Sequence, residues 1–259
     1  VGDFECLKAA VQNGANAVYL GASSFSARAK ATNFDNLELY EAIKYAKLRN
    51  VSVHLALNTL IKNEEFNDAV NLAINAYNNG VDAIIIQDLA LLDYVAKCYP
   101  SIEAHASTQM GIDDLEGITS LEKLGVKRVV LAREVPIEKI KYFKTKTNMP
   151  LEAFIHGALC VSYSGNCLIS GLIGMRSGNR GRCVGSCRKL YNLVNLTTNE
   201  VFPKNYLLSM KDLNTTYNVQ DLSIIDSLKI EGRMKEPYYV YSVVNSYRKI
   251  IDGDTKIKE

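Results

Sequence analysis

The sequence predicts an α/β fold, a (β/α)8 TIM-like barrel with a cysteine- and glycine-rich insertion at the carboxyl-terminal face of its strands. Three observations predict it. First, helix-period segments alternate with β-branched runs about every 25 to 30 residues, the pattern of right-handed βαβ units around a parallel sheet. Second, VDAIIIQDL (81–89) is apolar on successive positions, as a strand buried on both faces must be. Third, strands near residues 17, 51, 82, 102, 128 and 151, with two more at 206–212 and 226–232, make the eight that close a barrel.

Each element follows in order from its residues. Phe4 to Asn13 is a helix closed by Gly14, and AVYLGAS (17–23) is the strand after it. FSARAKATNF forms a loop. Leu37 to Arg49 is amphipathic, with Leu39, Ile43 and Ala46 on one face. VSVHLALNTL is a strand ending at Asn58, and Phe66 to Asn78 a helix stopped by Gly80. After VDAIIIQDL, Leu91 to Tyr99 is a short helix ended by Pro100. IEAHASTQ is a strand, Leu115 to Leu124 a helix, VKRVVLARE a strand, Ile137 to Thr145 a helix, and LEAFIHG (151–157) the strand that leads into the insertion. Beyond it come YLLSMKD (206–212), DSLKIEG (226–232) and a last helix from Tyr238 to Ile251, opened by Pro237. The stretch 213–226 is too short for a full crossover helix and its loops.

At 259 residues the chain is read as one domain, 1–259, carrying the insertion at about 158–190. A net charge of +2 gives no global basic field, so contact with nucleic acid must come from a local patch. No window of about 18 apolar residues marks a membrane span. No signal peptide opens the chain, and the expected compartment is the reducing cytoplasm. The first residues, Val1-Gly2-Asp3, lack a methionine, so the chain reads as the core of something longer.

The chemistry concentrates in the insertion. Cys160, Cys167, Cys183 and Cys187 follow the spacing C-x6-C-x15-C-x3-C among seven glycines from Gly157 to Gly185. Such a segment has no apolar periodicity with which to pack, and thiolates around a metal centre would tie its loops down. The residues leave four readings open. Four ordinary buried thiols would need no partner. Disulfides suit small domains without a core, which this chain is not. Structural zinc prefers paired short spacings, and only Cys183/Cys187 approaches one. An iron–sulfur cubane tolerates irregular spacing. Arg176, Arg180, Arg182, Arg188 and Lys189 overlap the cysteines, with no acid between Glu152 and Glu200. Their forks suit a cluster's negative charge, a phosphate or a carboxylate.

A barrel collects its function at the carboxyl ends of its strands. Those ends are polar here: Asn58; Gln87 and Asp88; His105, Ser107, Thr108 and Gln109; Arg133 and Glu134; His156; Lys211 and Asp212; Glu231, Arg233 and Lys235. His105 and His156 are candidates for acid–base work or substrate hydrogen bonds, each with a structural alternative. His54 alternates with apolar neighbours inside a strand and reads as structural.

The run E-x-F-x-x-G-A-x-C-x6-C-x-x-S, on Glu152, Phe154, Gly157, Ala158, Cys160, Cys167 and Ser170, resembles the signature of the collagenase-like peptidase family of unknown catalytic type. FSARAKATNF, LNTLIKNEE, VDAIIIQDL, HASTQM, RVVLARE, RSGNRGRC and SLKIEGRMK resemble further blocks of that family, so the likeness spans nearly the whole chain. The resemblance implies one of two activities. The family's name comes from collagen degradation. Its bacterial branches take part in hydroxylations that do not use oxygen: 5-hydroxyuridine at the tRNA wobble position with prephenate as hydroxyl source, hydroxycytidine in ribosomal RNA, and the ubiquinone ring. It further implies a 4Fe–4S cluster on Cys160, Cys167, Cys183 and Cys187, with Cys187 the ligand that varies, and zinc as the alternative. On this reading His105, His156, Glu231 and Arg233 are the catalytic candidates. Arg176, Arg180, Arg182 and Lys235 are the cofactor-binding candidates. RNA and a small carboxylate are the expected partners, no membrane is involved, and the family's C-terminal β domain is absent.

Mechanism weighs against proteolysis. There is no G-x-S-x-G elbow, only the fragment Tyr163-Ser164-Gly165, and no H-E-x-x-H. Pairing Cys160 with His156 has no geometric reason across a strand end and a glycine, and a cysteine that holds a cluster is no nucleophile.

Overall fold

Aspartates set the starts of four helices. In the computed structural model, which describes residues 1–28 and 32–253, Asp3 accepts from the Cys6 amide at 2.7 Å and opens α1 (Phe4–Gln12). Asp35 forms a capping box with Glu38 on α2 (Asn36–Lys47). Asp88 caps α4 (Leu89–Cys98) and Asp114 caps α5 (Leu115–Lys123). The remaining helices are α3 (Phe66–Asn78), α6 (Ile137–Lys144), the short α7 (Ile169–Gly174) within the insertion, and α8 (Pro237–Ile251), with Pro237 at the first turn of α8. Residues 29–31 of the FSARAKATNF loop lie outside the described residues.

Strands β1 (Ala17–Leu20), β2 (Ser52–Leu57), β3 (Ala83–Ile86), β4 (Glu103–Ala106), β5 (Arg128–Val130) and β6 (Leu151–Gly157) pair in that order, all parallel. β8 (Ser227–Ile230) lies parallel beside β6. The architecture is the barrel-like α/β sheet that the sequence predicts, with two departures. The first concerns the strand expected at 206–212, which does not form. Tyr206, Leu207, Leu208 and Met210 are all more than 40% exposed, so no surface packs against them to hold an extended segment. In its place β7 is the dipeptide Leu213–Asn214, antiparallel to β6 at His156 and Gly157. Residues 216–224 make 3-10 turns where a crossover helix would stand.

The second departure is closure. Among the described residues no ladder joins β1 to β8. The two strands are bridged by the Tyr19 hydroxyl, which donates to the Ile230 carbonyl at 3.3 Å. Outside them α1 packs along α8. A cavity of about 400 Å³ lies in the seam, lined by Val18, Leu228, Ile230, Val240 and Val244.

The core fills the space between strands and helices, from Leu7, Leu20 and Leu55 through Ile84, Leu91 and Phe143 to Val240 and Tyr247. Inside the ring of strands the amino-terminal half is ionic rather than apolar. Lys229 Nζ donates to Glu152 Oε1 at 2.6 Å, and Ser227 and Arg128 reach Glu152 Oε2 at 2.7 and 3.4 Å. Burial raises the Glu152 carboxyl, but Lys229 and Ser227 outweigh it and hold the group at about 2. His54 and His105 face each other above it, with ring centroids 5.0 Å apart. This buried polar layer plugs the barrel floor, so the chemistry must lie at the opposite end.

Candidate functional site at the barrel mouth and its lid

The carboxyl ends of β1 to β6 and β8 converge on a narrow cleft. Tyr19, Ala56, Ile85 and Phe154 line it from the strands, with Arg28, Asn58, Ser107, Thr108, Gln109, Arg133, Glu231 and Arg233 from the segments that follow them. Glu231 is the centre. Arg28 and Arg133 each donate through Nη2 to the same oxygen, Oε2, at 3.2 Å, while the Tyr19 hydroxyl reaches Oε1 at 3.4 Å. Burial raises this carboxyl. Arg28, Arg133 and Arg233 overcome that and hold it at about 2. Tyr19 is pushed far up by burial and by Glu231, so it stays a hydroxyl donor. Arg233 donates to Ser26 Oγ and to Asn33 Oδ1. Gly21 must be glycine for this, because a Cβ there would meet the Arg233 guanidinium.

The insertion covers the mouth as a lid, and hydrogen bonds fix it. Glu134, in the loop after β5, accepts from the Ser164 amide at 2.8 Å and from its hydroxyl at 3.0 Å. Gly165, at φ +75°, lies against the Gln109 carbonyl, where no side chain would fit. Arg180 forks onto Glu65 at 2.8 and 2.6 Å and also donates to the Leu60 carbonyl. Arg188 donates to the carbonyls of Leu159 and Met210 and to Ser209 Oγ. Two arginines of the basic run are therefore clamps of the lid. Arg176 and Arg182 are exposed and, among the described residues, paired with no carboxylate.

Within the lid, Cys160 and Cys183 are exposed and Cys167 and Cys187 half-buried. Burial raises the Cys187 thiol first, and Cys160, Cys183 and Cys167 each raise it further, against the opposing charge of Arg188. Repulsion reaching one thiol from all three others puts the four sulfurs in one neighbourhood. They are not drawn onto a single point: among the described residues no three His, Cys, Asp or Glu side chains are grouped to hold one metal ion. Cys183 is also close enough to stabilise the Arg28 cation, which connects the lid to the mouth.

The other candidates scatter. Glu231 and Arg233 stand in the mouth as expected. His105 does not line it. The side chain is fully buried one layer down, with Nε2 2.9 Å from Glu103 Oε1, and burial lowers its pKa. His156 is also outside the mouth. The register of β6 against β8 shifts between Phe154 and His156, a bulge that turns the imidazole outward. There Nδ1 lies 3.3 Å from the Tyr247 hydroxyl, among Tyr239 and Tyr247, and burial lowers its pKa. Lys235 is held by Asp212 at 3.0 Å and lies over the Tyr239 ring. Of the residues that build the site, Glu134 is marked by its strand end, whereas Arg28, Tyr19 and Glu65 are not marked by the sequence. Arg28 and Glu65 sit within loop blocks, where no periodicity marks a side chain's direction.

Comparison with known proteins gives the family. The chain is 38% identical to the 23S rRNA 5-hydroxycytidine C2501 synthase of Escherichia coli (strain K12), over 97% of this chain and 38% of that protein. It is 36% identical to the tRNA hydroxylation protein P1 of Bacillus subtilis (strain 168), over 97% of this chain and 62% of the relative. A Porphyromonas gingivalis (strain ATCC BAA-308 / W83) protein named collagenase is 31% identical, over 98% of this chain and 64% of that protein. The chain thus spans less than two thirds of the length of these curated relatives. Among solved structures, the U32 peptidase Mk0906 matches with a TM-score of 0.55 at 14% identity, covering 84% of this chain and 85% of that one, a likeness of fold. The model of peptidase family U32 matches residues 2–259, and the chain belongs to that family.

Proposed function

We propose that this chain is the barrel of an iron–sulfur protein of oxygen-independent RNA hydroxylation, acting on tRNA wobble uridine with prephenate as hydroxyl source. The observation that carries the reading is the gathering of Cys160, Cys167, Cys183 and Cys187 in a lid over an arginine-rich barrel mouth. The irregular C-x6-C-x15-C-x3-C spacing suits a cubane better than a single tetrahedral ion. When bound, such a cluster supplies redox or Lewis-acid chemistry to the mouth. This chain's own residues do the rest. Tyr19 offers a proton that it does not lose, Glu231 stays ionised, and Arg176 and Arg182 reach outward to RNA phosphates. Relatives named as tRNA and rRNA hydroxylation proteins support RNA as the substrate class.

The peptidase reading rests on the names of the family and of the Porphyromonas relative. The geometry does not favour it. His156 lies against the Tyr247 hydroxyl rather than a thiol, Ser164 is held by Glu134, and His54 and His105 are sealed in the barrel floor.

Protein purified without oxygen should be brown, with about four iron and four sulfide per chain. Nucleoside mass spectrometry of a strain lacking the gene should find 5-hydroxyuridine derivatives missing from tRNA. A colourless protein with stoichiometric zinc, or an unchanged nucleoside profile, would defeat the reading. Gelatin cleavage by homogeneous protein that disappears with Cys160→Ala would favour the peptidase instead.

A further inference from the structure

The ring of strands is one short of closure. Seven parallel strands, β1 to β6 and β8, follow one another around it, and among the described residues no ladder joins the two ends. A closed (β/α) barrel has eight. The helices tell the same story. Each of α2 to α6 leaves one strand and delivers the chain to the next parallel one, as a crossover must. α1 delivers the chain to β1 in the same way, yet among the described residues no strand leads into it. The seam cavity, at about 400 Å³, is far larger than the voids a packed interior tolerates. Its wall is apolar towards α1 and α8, through Ala10, Val240 and Val244, and polar towards the interior of the ring, where His54, Glu152 and Lys229 reach it. Both strand edges turn carbonyls into the seam. The Tyr19 carbonyl accepts from the Val1 nitrogen at 2.7 Å, and the Ile230 carbonyl from the Tyr19 hydroxyl at 3.3 Å.

We propose that the seam between β1 and β8 seats one further parallel strand, joined through Val1 to α1, which completes the barrel. Its direction follows from α1, because strand, α1 and β1 then form the same right-handed unit as β1, α2 and β2. Its length follows from its neighbours, β1 and β8, which have four residues each. Its side chains point alternately to the two walls, so those facing α1 and α8 are apolar. The strand belongs to the same polypeptide rather than to a partner, because Val1 already holds the end of the seam beside Tyr19. Val1 is 7% exposed, and its nitrogen makes the bond to β1 that a ladder amide would make. Burial, and then the Arg233 cation, lower that ammonium to about 5, whereas a peptide nitrogen makes the same bond with no charge to bury. Gly2 lies against the Arg233 carbonyl, where a Cβ would not fit, so the end of the strand also braces the turn that carries Arg233 into the mouth.

The test compares the full-length polypeptide with a form in which about five residues ahead of Val1 are replaced by glycine and serine. In the unaltered protein the amides of those residues should exchange with solvent about a hundredfold or more slower than in an unstructured peptide of the same sequence. The glycine–serine form should unfold at a lower urea concentration. Benzene, which enters apolar cavities, should raise its unfolding midpoint but not that of the unaltered protein. Unprotected exchange at those positions in the folded, unaltered protein would overturn the proposal, and this measurement decides alone where the glycine–serine form does not fold. Equal urea midpoints would overturn it too, as would benzene stabilising both forms alike, which would make the seam a ligand cavity. The readouts use neither RNA nor turnover, so they stand or fall separately from the nucleoside profile.

Discussion

At the scale of single residues, the barrel floor records protonation as stability. His54 is 7% exposed, and burial together with His105 lowers its pKa from 6.5 to about 4. The unfolded chain therefore takes up this proton at a higher pH than the folded one. Stability is full above pH 6.5 and declines as pH falls towards 4, by up to about 3 kcal/mol for a shift of this size. Glu152 and Glu231, both held at about 2, begin to cost stability only below their ordinary value of 4.5, a separate and lower window. Urea unfolding at pH 7, 5.5 and 4 should show the decline, and His54→Gln should lessen the part between 6.5 and 4, the rest coming from His105 and His156, which burial also lowers. An equal decline in the variant would place the titration elsewhere. Sequence alone read His54 as structural and His105 as functional. Both face the same interior, and what separates the reading from the outcome is two residues: β4 ends at Ala106, so Ser107 to Gln109, not His105, reach the mouth. His156 was misplaced by a bulge, which leaves no mark in a run such as LEAFIHG.

At the scale of elements, those read most faithfully are those with strong periods. Phe66–Asn78 and Leu151–Gly157 have the boundaries their sequences predict. Segment 206–212 has the composition of a strand but no partner surface, and composition cannot supply one. The lid was legible as an element that needs tying down, but its ties were not, because they join residues far apart in sequence. The Arg180–Glu65 fork spans 115 positions, and it pulls Glu65 down to about 2 through the Arg180 hydrogen bonds first. This clamp touches the lid and the β2–α3 loop but no buried core residue. Arg180→Ala should therefore speed tryptic cleavage between residues 176 and 190 severalfold while leaving the thermal unfolding of the barrel in place. Equal cleavage rates in the two proteins would mean that the Glu134–Ser164 tie alone holds the lid.

At the scale of the whole molecule, the core and the lid are separate constructions. Among the described residues the hydrophobic core stops at Ile155 and resumes at Val219, with nothing contributed by the sixty-odd positions between. The barrel thus buries its apolar surface without the lid, whereas the lid has only hydrogen bonds and whatever its thiols hold. The six cysteines divide along the same line. Cys6 is fully buried in the core, with Sγ donating to the Lys235 carbonyl at 3.3 Å. Cys98 is exposed on α4, and the other four belong to the lid. It follows that removing thiols has opposite consequences by location. Cys6→Ala should destabilise the barrel by about 1 to 2 kcal/mol through lost packing and a lost hydrogen bond, with its iron content intact. The double change Cys160→Ser with Cys187→Ser should do the reverse. It should abolish iron and sulfide and open the lid to protease, yet move the unfolding midpoint of the barrel by no more than about 2 °C, because no core contact is lost. Calorimetry with metal analysis on the same samples separates the two outcomes. A barrel that unfolds cooperatively with loss of the lid cysteines would mean that these thiols serve the fold rather than the mouth.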